Sequence, residues 1–456
     1  MSCVRAPQVR LLVLFLLVLA TSVTAVGAVK HSGAPTVLLI SVDGLKPAAV
    51  LHAQEHGLKL PNLVRLSEDG AYSPGVRGVL PTVTYPSHTT LLTGVSPAKH
   101  GISANTTFDP FNKNEQGWYW YAEDIRVPTL WDAAHAAGLT TASIYWPVSV
   151  GAHIDFNLPQ IWRTGTADDL KLQRALSTPG LEAELSKALG RYPEGMEETV
   201  DADEVRTRFA VKIIETKHPA FMTVYLAGLD HEQHASGPFS DKSNAVLERL
   251  DALVGQLRAA AEKASPNRAY VCVVSDHGFA KVQHDVNLYE AFLGAGLFTR
   301  DSSQKVGSWK AMPWPAGGAA AIVLADPTDG ATSRKVETLL HQLAADPANG
   351  IDRILNREEL RLAGGFPQAA FFVSFKIGYE LGYGFAPPLI SAPSNLGMHG
   401  YLPSNPEMLS SFFLVGPTVA QGKSLGEIDM RQIAPTLAQI MHVKLPDAEM
   451  KPLNVH

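Results

Sequence analysis

Cysteine is almost missing from this chain: two in 456 residues. That excludes a disulfide scaffold. Cys3 lies in the first residues, and Cys272 sits inside the apolar run Tyr270-Val271-Cys272-Val273-Val274, where it reads as a small buried hydrophobe. Long runs of one charge are also lacking. The formal net charge is −6 and 18% of residues are charged, which leaves no basic face for gripping a nucleic-acid polymer. No C/S-x-P-x-R sulfatase context occurs, which argues against a formylglycine sulfatase. No internal repeat or low-complexity tract is present, and at 46% hydrophobic the composition is that of a folded enzyme-sized domain.

The N-terminus reads as an export signal over residues 1–25. Arg5 and Arg10 precede the apolar run Leu11–Ala20, and small residues follow at Val23-Thr24-Ala25. The strictly apolar part is too short for a membrane anchor. The expectation is an exported protein, periplasmic or secreted, with no stable membrane span after cleavage and one catalytic domain over residues 29–456.

Short Val/Ile/Leu-rich runs punctuate the rest. Thr36–Val42 ends at Asp43-Gly44, Phe221–Leu229 at Asp230, and Ala269–Val274 at Ser275-Asp276-His277. Such runs read as buried parallel strands of an α/β fold, whose functional groups collect at strand carboxyl ends. Ala142–Tyr145, Ala320–Leu324 and Phe412–Val415 are further candidate strands. Helical patterns cover Leu60–Asp69, Thr129–Ala137, Thr178–Leu189, Ala202–Thr216 and Lys242–Ala264, the last with an apolar stripe from Val246 to Leu257. Between about 296 and 393 Gly and Pro are frequent and helical stripes few, which suggests an inserted subdomain.

The strand ends carry the chemistry. Asp230 and His234, four residues apart, share a face if a helix follows the strand. Asp276-His277 offers two adjacent ligands, Asp43 begins an Asp-Gly turn, and His399 precedes Gly400. Each alone reads more readily as a turn or a hydrogen-bonded residue than as a ligand. Together, three aspartates and three histidines make two three-ligand sites, and mixed N and O donors suit zinc better than magnesium or calcium. Two such ions form a clamp for in-line phosphoryl displacement, with Thr84 as the hydroxyl to be activated.

Six ordered segments then resemble one family: LLISVDG, LPTVTYPSHTTLLTGVSPAKHGI, Asn105 with Asp109-Pro110, YLAGLDHEQHASGP, VSDHG and MHGY, spanning about residues 36 to 415. The chain resembles the nucleotide pyrophosphatase/phosphodiesterases of the alkaline phosphatase superfamily, in a compact bacterial exported form. The resemblance implies an alkaline-phosphatase-like three-layer α/β sandwich with a mostly parallel central sheet and two zinc ions per chain. Asp230, His234 and His399 would hold one ion, and Asp43, Asp276 and His277 the other with the oxygen of Thr84. Asn105 would bind a phosphate oxygen, and Tyr85 and Tyr225 would stack on a nucleobase. The implied reaction cleaves a small phosphodiester or pyrophosphate, nucleotide-type favoured, through a phosphothreonine intermediate. The sequence departs from the family at Ser87, where Asn is frequent, and at Gln233, where Gly is frequent. The competing readings are a monoesterase or phosphonate hydrolase on the same scaffold, with Lys281 or Arg163 neutralising the extra charge, and a non-catalytic metal-binding module.

Overall fold

The strand β1 (Thr36–Val42) is buried at six of its seven positions, and β5 (Phe221–Leu226) at all six. Successive strand residues point to opposite faces, so continuous burial means that both faces of the sheet are covered. The computed structural model describes Ser2, residues 33–114, 117–162, Thr166 and 168–456. The expected export signal and Arg163 lie outside the described residues.

Also in the central sheet are β2 (Ala71–Arg77), β3 (Thr141–Ile144), β4 (Phe156–Leu158), β6 (Ala269–Val274) and β7 (Ser410–Val415). Their order is β2-β7-β6-β1-β5-β3-β4, with two short strands at the β2 edge. Contacts β6–β1, β1–β5, β5–β3 and β3–β4 are parallel, whereas β7 is antiparallel to both β6 and β2. This is a mixed α/β fold with a mostly parallel central sheet. Register fixes the site: Val42 pairs with Leu226 and Ser41 with Val274, so β1, β5 and β6 end side by side.

Five helices matter below: α1 (Thr84–Thr93), α2 (Val200–Lys217), α3 (Gly228–Ser236), α4 (Asp241–Ala264) and α5 (Gly330–Ala344). The apolar run expected as a strand through Leu229 divides at Ala227. Past Leu226 there is no β1 partner, and the chain turns into α3. The buried Asp203 carboxylate accepts the backbone N–H groups of Ala227 at 3.3 Å and Gly228 at 2.7 Å, capping the new helix. Gly228 has to be glycine, because a Cβ there would lie 2.7 Å from the backbone N of Val200.

Residues 296–393 contain a separate antiparallel sheet built from Ala311–Pro315, Ala319–Leu324, Ile351–Asn356 and Ala369–Phe375. Its core continues past both expected limits, taking in Ala280, Val286 and Leu288 on one side and Tyr401 and Met408 on the other. The stretch also holds α5, which the sparse stripe pattern did not lead us to expect. Asp329 caps it by accepting from Ala331 and Thr332, and the buried Val336 and Leu340 are its apolar face.

Candidate metal and phosphoryl-transfer site

Asp43 leaves the end of β1, Asp276 and His277 the end of β6, and Asp230 and His234 ride on the first turns of α3. Ligand atoms of Asp43, Asp276 and His277 lie within 4.8 Å of one another, as do those of Asp230, His277 and His399. The two expected triads are thus neighbours, and His277 faces both rather than one. Its Nε2 is 3.3 Å from Asp43 Oδ1 and 3.1 Å from Asp276 Oδ2. His234 joins through Asp230, with Nε2 3.4 Å from Oδ2, while His399 Nε2 is 3.6 Å from Oδ1.

The donor set fits divalent cations on three observations. Asp43 Oδ1, Asp230 Oδ1, Asp276 Oδ2 and His277 Nε2 are buried and have no hydrogen-bond partner. Buried acceptors without donors are costly unless a cation satisfies them. Second, the Nδ1 of His234, His277 and His399 meets the carbonyls of Gly397, Gly278 and Thr82 at 3.0, 3.1 and 3.1 Å. A carbonyl can only accept, so each Nδ1 carries the proton and each Nε2 presents its lone pair to the cluster.

Third, the protonation equilibria show the strain of crowded acids. Burial, then the charges of Asp276 and Asp230, raises the Asp43 carboxyl well above its usual range. Burial pushes Asp276 up to about 7, with Asp230 adding to the rise. For Asp230, burial is outweighed by His234, with His399 and His277 assisting, and its carboxyl is held below the ordinary range. Burial lowers His399 to about 4 and His277 well below its usual value, keeping both neutral, as metal ligands must be.

The loop after β1 is braced by a residue that departs from the family pattern. Gln233 is buried, and its amide donates to the Gly44 carbonyl at 3.1 Å. Gly44 has φ +67, and a Cβ there would sit 2.7 Å from that amide, so Gln233 fills the space glycine leaves. The Gly44 N–H in turn donates to Asp276 Oδ1 at 3.3 Å.

Thr84 is the first residue of α1, 7% exposed, where the helix dipole favours an anion. Pro86 is the third helical residue, a position whose N–H would lack an intrahelical partner. Asn105 accepts the Tyr85 N–H at 2.9 Å through Oδ1, which orients its NH2 group as the free donor. His88, which the motif analysis did not single out, donates from Nδ1 to the Thr84 carbonyl at 2.8 Å and lies 3.5 Å from Asp276 Oδ2. Burial lowers it to about 3, so it is neutral.

A cavity of about 590 Å³ opens over Thr84, Asn105, Asp230, His234 and His399. Tyr85 lines it, with its ring 5.3 Å from Trp118, which in turn lies 4.5 Å from Trp162. Neither tryptophan carries a sequence signal beyond its type. Tyr225 also reaches this wall. Its hydroxyl donates to Asp43 Oδ2, Tyr145 stacks on its ring at 5.6 Å, and His88 packs edge-on at 4.6 Å. Behind it Arg206 lies 3.4 Å from the Tyr145 ring centre and pairs with Asp203 at 3.0 Å, both wholly buried. One packed series thus runs from the cap of α3 to a ligand on β1. Glu198 lines the same cavity, its carboxyl pushed up to about 7 by burial and then by the charge of Asp230. No Lys or Arg is among the described residues lining this cavity, and Lys281 is exposed outside it. Among the described residues no helix is long and apolar enough to cross a membrane. Cys272 is buried and free.

Comparison with known proteins agrees with this architecture. The human ectonucleotide pyrophosphatase/phosphodiesterase family member 1 is 28% identical over 253 residues, 54% of this chain and 23% of that protein. The rat family member 3 is 28% identical over 262 residues, 55% of this chain and 26% of the relative. The match therefore spans about a quarter of these relatives' length. Among solved structures, murine ectonucleotide pyrophosphatase/phosphodiesterase 5, an inactive variant in complex with AMP, superposes with TM-score 0.65 at 18% identity. That superposition covers 92% of this chain and 97% of the other, and shows a shared fold. The family model described as type I phosphodiesterase / nucleotide pyrophosphatase matches residues 37–402, and the chain belongs to that family.

Proposed function

We propose that this protein is an exported two-zinc phosphodiesterase and nucleotide pyrophosphatase that works through a phosphothreonine intermediate. The observation that carries this reading is the ring of partnerless buried ligand atoms beside a threonine at a helix N-terminus. Zinc suits the mixture of imidazole and carboxylate donors. Bound there, cations supply Lewis acidity, lowering the pKa of a hydroxyl and offsetting charge on phosphate oxygens.

The chain's own residues do the rest. The Thr84 hydroxyl attacks phosphorus, the bond from phosphorus to the oxygen of the departing alcohol or phosphate breaks as the Oγ–P bond forms, and the hydroxyl proton passes to solvent while the departing oxygen takes one up. The amide NH2 of Asn105 donates to a non-bridging oxygen, held in that orientation by the Tyr85 N–H. The dipole at the start of α1 adds to the positive field there. Water then hydrolyses the Thr84 ester and returns the hydroxyl.

A diester is favoured over a monoester because the cavity wall carries Glu198 and, among described residues, no basic group to balance a second phosphate charge. A nucleotide-type substrate is supported by the murine neighbour, whose structure contains AMP, and by the orangutan relative named bis(5'-adenosyl)-triphosphatase, 25% identical over 255 residues. Turnover of a nitrophenyl monoester against a nitrophenyl diester, with metal content measured on the same preparation, tests the reading. Diester preference with zinc bound is expected, and monoester preference would overturn it.

A further inference from the structure

A second and larger cavity, about 830 Å³, adjoins the first. The two share Asn105, Trp118, Trp162 and His399, so the chamber opens directly off the place where a phosphate would sit. Thr84 and Asp230 do not line it. One wall is the 106–112 loop with Phe108 and Phe111, and the other is the 296–393 stretch with Met312, Trp314, Tyr383 and Phe385. Loop and subdomain are joined across the chamber. Trp314 Nε1 donates to the Thr106 carbonyl at 3.0 Å, and the Phe108 ring packs 5.3 Å from Trp309 and 5.6 Å from Trp314. The space is therefore built, not left between sliding parts.

Its wall is mostly aromatic and aliphatic. Apart from the shared His399, Asp109 and Lys305 are the ionisable side chains on it besides the tyrosines, among described residues. Such a wall repays burial of hydrocarbon and penalises burial of charge. A phosphodiester has two ester substituents, and the two adjoining cavities meet at the residues they share.

We infer that this chamber binds an apolar ester substituent, alkyl or aryl, of a phosphodiester whose phosphorus lies over Thr84. The inserted subdomain is then a specificity element that selects hydrocarbon-bearing diesters. This rests on the proposed site for phosphate, and the occupant is defined by the chamber's chemistry and its continuity with that site.

The test uses n-alkylphosphonates, whose C–P bond ester hydrolysis does not cleave, titrated by calorimetry into the zinc-loaded full chain. Affinity should rise from methyl- to butyl- to octylphosphonate by roughly three- to fourfold per methylene while the chain stays in the chamber. Met312→Gln, which sets an amide in the buried wall, and Tyr383→Ser, at a position 63% exposed, should each flatten that rise. Both should leave methylphosphonate affinity unchanged, which shows that fold and metals survive. Equal affinity along the series, or a rise that neither variant alters, would overturn the inference. Turnover of methyl nitrophenyl phosphate by the same preparation reports separately on the proposed reaction. If that turnover fails while the alkyl series still climbs, the chamber stands and the reaction assignment falls.

Discussion

Replacing Tyr225 with phenylalanine separates two roles for that residue. Phenylalanine keeps the ring, so a side chain needed only for stacking on a base would tolerate the change. The hydroxyl, however, donates to Asp43 Oδ2, and the other oxygen of that carboxylate has no hydrogen-bond partner and lies 3.3 Å from His277 Nε2. Burial and then the charge of Asp43 push the phenol well above its ordinary value, so it remains a neutral donor at any working pH. A hydrogen bond to a charged acceptor contributes about 1.5–3 kcal/mol. Removing it frees the carboxylate to turn and leaves it less well solvated. Loss of a partner that orients a metal ligand weakens metal binding by about 10- to 100-fold. The assay is competition for zinc against a chelator of known affinity, with kcat and KM for a small diester measured at limiting and saturating zinc. Tyr225→Phe should lower zinc affinity by that factor, lose turnover at limiting zinc and regain most of it when zinc is in excess. Tyr85→Phe is the control, because the Tyr85 hydroxyl has no partner and its loss should leave metal affinity alone. Wild-type zinc affinity in Tyr225→Phe would refute the role assigned to the hydroxyl.

Other expectations follow from the same geometry. Asp203→Asn should destabilise the fold by about 3–5 kcal/mol in denaturant unfolding, since it strands the buried Arg206 and weakens the cap of α3, and Asp203→Asn with Arg206→Met should recover part of that loss. Zinc affinity should climb with pH up to about 7, because the protons that burial and mutual charge hold on Asp276, up to about 7, and on Asp43 compete with the metal. The sign follows from metal binding expelling a proton, and affinity that is flat between pH 5.5 and 7 would contradict it. Gln233→Ala should weaken zinc binding at the Asp43 cluster more than at the Asp230 cluster, read by metal stoichiometry at limiting zinc, since its amide braces the Gly44 turn.

The strand ends were legible because parallel strands covered on both faces have to be written as unbroken apolar runs. The first polar residue after each run then marks where the sheet stops. Asp43 and Asp276-His277 stand at such points, and Thr84 lies in a motif dense enough to stand out. The limit of the method shows at Leu226–Leu229, where the apolar run continues although the β1 ladder has ended and Asp203, from a different helix, captures the next two N–H groups. Periodicity is blind to such long-range capping. Arg206, Glu198, Trp118 and Trp162 were hidden for the same reason: their importance comes from what folding brings against them. The ligand partition was read as two separate triads, whereas His277 at the seam faces both clusters, a fact of side-chain direction that spacing does not encode. The α5 helix was missed because a surface helix needs only a narrow buried stripe, here centred on Val336 and Leu340.

The central claim is that the Thr84 hydroxyl takes the phosphoryl group. Turnover of a small phosphodiester by the zinc-loaded enzyme, quenched in acid within the first turnover and followed by peptide mass spectrometry, reads this directly. The expected result is a phosphoryl adduct on Thr84 in the wild type, with no adduct and no turnover in Thr84→Ala although its zinc content is unchanged. An adduct on another residue, or diester hydrolysis that persists in Thr84→Ala, would contradict the claim.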